Sequence, residues 1–595
     1  MRIKSFSFLL TFLVSYALQA QDILPPVIDW SGKSEALMVD KNHPWVTPSE
    51  LSDLSETPDY EETKAWLEKL CAASPWMKMI SLGKSEQNRE LLMVIASKEE
   101  NTSAEALRSS KKAILLAQAG IHAGEIDGKD AGLMLLRDIA FGDKGKLLDK
   151  VNLLFIPMLN VDGHERISPY NRVNQRGPVN MGWRTNAQNL NLNRDYAKLE
   201  TAGVQAVVSV INDYDPDLYL DLHVTDGADY QFDITYGWAE GYSPASSQWL
   251  SEVFQPAMDQ ALTDMGHIPG PLMFSFNNRD FSEGNTEFEF SPRFSETYGN
   301  SRNTPSILVE NHSLKPYKQR VLGTYVFLEQ SMRALAQSNK QLTKAMDQDR
   351  AARRDSIVLA YTLSESMADS MLLKGIKPEM KPSQIRAGEY ISWTAEPYEE
   401  KIVIRRMNDP LKKVALPKAY WVPAEWKTII AKLKAHGIEM EEITETKEIA
   451  VDQYYIESFE MAAMPYEGHV RCGSFELETL QQNIVYQPGS VRVPMDQYKA
   501  ALIALLLEPD SPDSFLQWGF MHSIFSRTEY IEEYVIEPLA EKMLAEDAEL
   551  KKKFEAKKAA DPAFAQSQEQ IYRWFYEQSP YFDQAWKKYP IAREM

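Results

Sequence analysis

The stretch Lys112–Asp130, KAILLAQAGIHAGEIDGKD, decides how the rest of the chain is read. Lys112 to Gln118 is a compact apolar run bounded by turn signals, which predicts a buried strand. Gly120, Gly124 and Gly128 follow within nine residues and predict a loop of unusual conformational freedom. Asp130 to Phe141 then places Leu133, Leu136 and Ile139 on one side of a helix. In the loop sits His122-Ala-Gly-Glu125, an imidazole and a carboxylate three residues apart.

Working outward, the same alternation recurs. Tyr60 to Ala72 has helical spacing, with Trp66, Leu67, Leu70 and Cys71 on one face. Met77 to Leu82 and Glu90 to Ser97 predict two strands around a turn at Gly83 to Arg89. Val151 to Met158 predicts another buried strand, Val204 to Tyr214 a helix, Leu218 to Val224 a strand, Ser306 to Val309 a strand and Val321 to Ala336 a helix. Strands alternating with helices point to an α/β fold: a mixed, mostly parallel twisted sheet flanked by helices. Beyond about Lys340 the texture changes to α+β. The charged stretch Asp347 to Asp355 fits a helix end or a linker. Tyr390 to Arg406 and Met461 to Glu478 look β-rich. Pro423 to His436, Tyr498 to Leu507 and Glu529 to Lys558 look helical.

The composition bounds the function. Of 595 residues, 44% are hydrophobic and 25% charged, the usage of an ordinary globular chain. Lys+Arg 64 against Asp+Glu 85 gives a net charge of −21, which repels phosphate backbones and argues against nucleic acid as a partner. Arg2 and Lys4, an apolar run from Phe6 to Leu18, and small residues at Ala17 and Ala20 form the pattern of a secretory signal peptide. Cleavage after Ala17 or after Ala20 fits that pattern. The apolar run is shorter than a span of about 20 residues, and no later stretch is long and apolar enough to cross a bilayer. Cys71 and Cys472 are the only cysteines. An oxidised pair and two buried thiols are both compatible with export. His469-Val-Arg-Cys472 offers two metal donors with no partner cluster and is read as structural.

The chemistry-bearing residues fall at strand ends. Zinc takes imidazole nitrogen and carboxylate oxygen in a tetrahedral set, and His122 and Glu125 can converge on one ion from a tight turn. A third ligand is expected from another strand end, where His223 closes Leu218-Tyr-Leu-Asp-Leu-His223. Three protein ligands leave one position for water, the open arrangement of a catalytic site. Hydrolysis then needs a carboxylate base, and Glu310 closes Ser306-Ile-Leu-Val-Glu310. Asn193 and Arg194, in Asn191-Leu-Asn193-Arg194-Asp195, offer amide and guanidinium donors for a substrate carboxylate. Arg184, after Gly182-Trp183, is a candidate for facing a developing oxyanion.

From Gly83 to Leu322 the ordered set resembles the zinc carboxypeptidases of the carboxypeptidase A-like group. The match includes Gly83-Lys-Ser85 with Arg89, then His122, Glu125, Asn160-Val-Asp162-Gly163, Trp183-Arg184, Asn193-Arg194, His223 and Glu310. The resemblance implies one Zn2+ held by His122, Glu125 and His223. It implies Glu310 as general base, Arg184 on the oxyanion, and Asn193 and Arg194 on the terminal carboxylate of a peptide. The family's mobile tyrosine is carried to Tyr298. Val493-Pro494-Met-Asp496-Gln497 and Leu507-Glu-Pro-Asp-Ser-Pro-Asp513 resemble a C-terminal extension of larger bacterial relatives.

The expected organisation is therefore a signal at 1–20, a lead-in at 21–58, a catalytic domain at 59–340 and an α+β extension at 341–595 of one or two units. The expected function is an exported metallocarboxypeptidase acting on peptides with a free C-terminus. Hydrolysis of cell-wall peptides or other amides by the same chemistry is the alternative. A non-catalytic binding module of the same fold is the third reading.

Overall fold

The computed structural model describes residues 23–286, 291–364, 368–527 and 529–595. The signal segment expected at 1–20 lies outside them. The first strands are β1 (Met77–Lys84), β2 (Glu90–Ala96), β3 (Ala113–Ala119), β4 (Val151–Ile156), β5 (Leu218–Thr225), β6 (Ile234–Gly237) and β7 (Pro269–Pro271). Two short strands, β8 (Phe274–Ser275) and β9 (Asn285–Thr286), precede β10 (Ser306–His312). Eight of these form one sheet in the order β1-β2-β4-β3-β5-β10-β6-β7. Its centre, β4, β3, β5 and β10, is parallel, and β1, β2 and β6 join antiparallel.

Every residue of β3 and β4 is buried, as apolar runs without alternation require of strands covered on both faces. Their side chains still divide with a period of two. Leu115 and Ala117 join one core with Leu133, Leu136 and Phe327, from helices Asp127–Phe141 and Tyr317–Ala351. Ile114 and Leu116 join another with Val207 and Ile211 of helix Ala202–Tyr214. That second core does not stop at the domain. It also takes in Tyr420, Phe515 and the buried run Leu502–Leu507 from the C-terminal region.

The C-terminal region opens with β11 (Ser356–Thr362), the long hairpin β12 (Ala368–Pro382) and β13 (Glu389–Arg405), and β14 (Asp409–Ala415). Strand β14 pairs with β11, while the hairpin adds β9 and β8 to its edge. Then β15 (Ala419–Val422), β16 (Glu441–Glu442), β17 (Lys447–Met461), β18 (Cys472–Tyr486), β19 (Val491–Pro494) and β20 (Ala592–Glu594) form a six-stranded sheet. Short helices between Glu533 and Glu577 pack around Ile536, Phe554 and Phe575.

Several elements differ from the sequence reading in extent. The helix expected at Val321–Ala336 runs from Tyr317 to Ala351, through the boundary placed at 340 and into the charged stretch. The β-rich span Met461–Glu478 is interrupted: 462–471 connects β17 to β18. The terminal helix breaks at Asp547, whose carboxylate caps the next helix by accepting from the amides of Glu549 and Leu550. Cys71 and Cys472 are free thiols. His469 and Cys472 share no metal geometry, since His469 Nε2 lies 2.7 Å from Glu200 and Cys472 Sγ donates to the Leu516 carbonyl.

The lead-in is tied to the sheet's covering layer. Arg137 Nη1 donates to both Glu50 carboxylate oxygens at 2.6 Å, and Nη2 donates to the Leu37 carbonyl. Ser34 Oγ sits 2.8 Å from His267 Nε2, and His267 Nδ1 lies 2.7 Å from Asp233, all three being buried. Glu50→Ala takes away one of the two carboxylates that hold the buried Arg137, the other being Asp138 at 2.7 Å, and is expected to cost about 1–3 kcal/mol in chemical denaturation.

Candidate metal centre

The candidate ligands stand at the carboxyl edge of the parallel strands, where open α/β sheets build their sites. After β3 the chain turns at Gly120, whose φ of +66° suits glycine. The turn His122–Glu125 is closed by the Glu125 amide donating to the His122 carbonyl at 2.9 Å. Gly124 must lack a side chain there: a Cβ would fall 2.7 Å from the Gly182 carbonyl and 2.5 Å from Arg172 Cγ. His223 and Glu310 are paired residues on the neighbouring strands β5 and β10.

These placements bring His122, Glu125 and His223 together, with one ligand atom of each lying within 4.8 Å of the others. Glu125 Oε2 lies 3.0 Å from His122 Nδ1 and 3.1 Å from His223 Nδ1, and accepts from the Val224 amide at 3.0 Å. Both rings are held from behind. His122 Nε2 lies 3.0 Å from Asn191 Oδ1, an oxygen fixed by the Asn193 amide that donates to it. His223 Nε2 lies 2.8 Å from the Asp221 carboxylate, which Gln118 braces from the other side. An acceptor at each Nε2 turns each Nδ1 toward the centre.

The electrostatics agree. Burial pushes His122 down to about 4, so it stays neutral. Burial would lower His223 too, but the Asp221 carboxylate overrides it and holds the ring well above its ordinary range. Burial would raise Glu125, but His122 and Arg172 bring it well below the carboxylate range. Glu310 goes the other way: burial, against the pull of His223 and with the Glu125 charge beside it, lifts it to about 8. Its Oε2 is buried and has no hydrogen-bond partner among the described residues. Two oriented imidazoles, one anionic carboxylate and an unpartnered carboxylate alongside fit a divalent cation that takes mixed N and O donors, as zinc does.

Arg184 reaches the same centre. Its Nη1 lies 3.3 Å from Glu125 Oε1, and its side chain is 40% exposed, so it faces the cleft rather than the core. The otherwise unassigned Asn160-Val-Asp162-Gly163 supports it: Asn160 Nδ2 donates to the Arg184 carbonyl at 3.2 Å, and the Trp183 amide donates to the Gly163 carbonyl at 2.7 Å. Asp162 is in turn gripped by Ser85 and Arg89, the other unassigned pair. Asn193 lies against His223, 3.5 Å between Nδ2 and Nε2, and Arg194 adjoins it over the Phe294 ring.

Tyr298 is not brought to the site. It is fully buried, with its hydroxyl 2.9 Å from His436 Nδ1 and accepting from Arg302 at 3.2 Å. Its helix, Ser295–Ser301, is buried along its whole length. Sequence reading also passed over Arg172, whose Nη2 sits 2.7 Å from Glu125 Oε1, and Asp221. Arg172 carries no motif. Asp221 was available in principle, since a period of two puts it on the face of β5 that carries His223.

Against known proteins, residues 63–301 match the family model described as zinc carboxypeptidase, peptidase M14. The match is confined to that stretch, and the chain carries further structure outside it. Carboxypeptidase 2 of Trichophyton rubrum is 22% identical over 504 residues, 79% of this chain and 85% of that one. The same-named protein of Trichophyton tonsurans is 22% identical over 498 residues, 80% and 86% respectively. Among solved structures, a metallo-carboxypeptidase from Burkholderia cenocepacia has a TM-score of 0.36 at 17% identity, covering 46% of this chain and 69% of that one.

Because a cation must displace the proton that His223 carries, zinc binding near neutral pH is expected to release about one proton, so the Kd rises about tenfold per unit as pH falls. Calorimetry in buffers of different ionisation enthalpy reads this directly. His122→Ala and His223→Ala are each expected to abolish the zinc-dependent rise in Tm.

Proposed function

We propose that the protein is an exported zinc-dependent metallocarboxypeptidase that removes C-terminal residues from peptides. The observation that carries this reading is the convergence of His122, Glu125 and His223 on one point, with Glu310 beside His223 on the next strand. Zinc held by these three side chains would supply Lewis acidity toward a water and a peptide carbonyl.

The protein's own groups do the remaining work. Glu310 Oε2, buried and unpartnered among the described residues, takes the proton of the attacking water and returns it to the leaving amine. Arg184, open to the cleft, donates to the carbonyl oxygen as charge develops on it. Asn193 and Arg194 hold the terminal carboxylate of the peptide and so set which bond is presented. Asn191 and Asp221 hold the two imidazoles in place through their outer nitrogens. Residues 59–340 form the catalytic domain in this proposal and 341–595 an extension packed on it. Export rests on the pattern of residues 1–20. No helix among the described residues is long and apolar enough to cross a membrane.

The reading is tested on blocked dipeptides with a free C-terminus and on their C-terminal amides. The free acids are expected to be cleaved in a chelator-sensitive way and the amides to be poor substrates. Glu310→Gln is expected to lower kcat by about 10²–10⁴-fold with zinc content unchanged. Cleavage by that variant at the wild-type rate rejects the mechanism.

A further inference from the structure

The loop that carries Asn191, Asn193 and Arg194 is gripped from outside its own domain. Strands β17 and β18 form a long hairpin of the C-terminal region, and its connection, 462–471, reaches back over that loop. The tip is a tight turn. Tyr466 and His469 exchange both backbone hydrogen bonds, at 2.8 and 3.0 Å, around Glu467 and Gly468. Both central residues have positive φ, 48° and 81°, the backbone of the turns that match strand twist.

The tip is latched by side chains and backbone, with the Glu467 carbonyl accepting from Lys198 at 3.4 Å. Glu467 Oε2 accepts from the Asn191 amide at 2.7 Å. His469 Nε2 meets Glu200 at 2.7 Å. Tyr466 Oη accepts from Arg194 Nε at 3.0 Å. The Tyr466 ring lies parallel to that of Trp518, which is fully buried, at 6.0 Å and 17°, so the phenol is held on a rigid base.

The last contact has a chemical consequence. A guanidinium offers five N–H groups and two edges for a bidentate carboxylate. Arg194 commits Nε to Tyr466 and one Nη1 hydrogen to the Asn193 carbonyl at 2.6 Å. The edge that includes Nε is therefore occupied. The Nη1/Nη2 end, with one hydrogen left on Nη1 and two on Nη2, is the edge left to a ligand.

We propose that Tyr466 is a positioning residue of the carboxylate subsite, fixing Arg194 so that its Nη1/Nη2 end meets the terminal carboxylate of the peptide. The C-terminal region thereby completes the site in cis. This rests on the reading of Arg194 as the carboxylate clamp.

Tyr466→Phe in the full-length zinc-loaded protein removes the hydroxyl and keeps the ring on Trp518. The expected result is a rise of about tenfold in KM for a blocked dipeptide acid, with kcat within about twofold. Binding of an N-acetyl amino acid, followed by calorimetry, is expected to weaken by the same factor, and turnover of the matching amide to stay unchanged. Glu467→Ala, which removes the latch on the Asn191 amide, is expected to raise KM in the same direction. Wild-type protein that neither cleaves the acid nor binds the N-acetyl amino acid overturns the clamp reading, and this proposal with it. Wild-type protein that does both, with Tyr466→Phe indistinguishable from it, overturns the proposal alone.

Discussion

The cleft is organised by one buried carboxylate. Glu125 stands where two imidazole nitrogens, two guanidinium groups and a strand amide converge, from its own turn, from β5 and from the loop segments that carry Arg172 and Arg184. A charge in so apolar a setting is tolerated only when it is surrounded by donors and opposite charge. That requirement explains the close glycine at 124, which lets Arg172 and the Gly182 carbonyl approach, and the anchoring of Arg184 by Asn160. It also explains the asymmetry with Glu310. That carboxylate is buried among the same groups but has no hydrogen-bond partner for Oε2 among the described residues, and is pushed up rather than down. One carboxylate is fixed as an anion and its neighbour's affinity for a proton is raised.

The extra-domain residues are more than an appendage. The run Leu502–Leu507 lies in the same core as Ile114, Leu116 and the helix Ala202–Tyr214, so the catalytic sheet and the C-terminal region exclude water together. A hairpin anchored on such a base can hold its tip to hydrogen-bond precision at the cleft. Helix Tyr317–Ala351 runs between the two parts without a break, which further limits their relative motion.

The sequence made much of this readable, for a physical reason. Metal donors are few in kind, and strand–loop–helix punctuation around His122 fixes where they fall. His122, Glu125 and His223 could thus be named from spacing and strand ends. The parallel centre of the sheet was equally readable, because strands covered on both faces are apolar without alternation. Three things were not. Tyr298 was placed by counting along the chain, and linear distance does not say which way a helix residue faces. Arg172 acts through a loop conformation that carries no pattern. Tyr466 and Glu467 reach Arg194 and Asn191 across more than 270 positions, on a β-turn that looked like unbroken strand.

The strapping of the N-terminal lead-in bears on how such an enzyme could be held in check. A detachable inhibitory segment must leave behind a surface that tolerates water. Here the buried Arg137 and His267 each take one partner from residues 34–50 and one from the body of the domain, Asp138 and Asp233. Clipping the segment away would take Glu50 from the Arg137 guanidinium, leaving it Asp138 alone, and would uncover the back of the sheet's covering helix. Residues 34–50 are therefore part of the packed layer that covers the sheet.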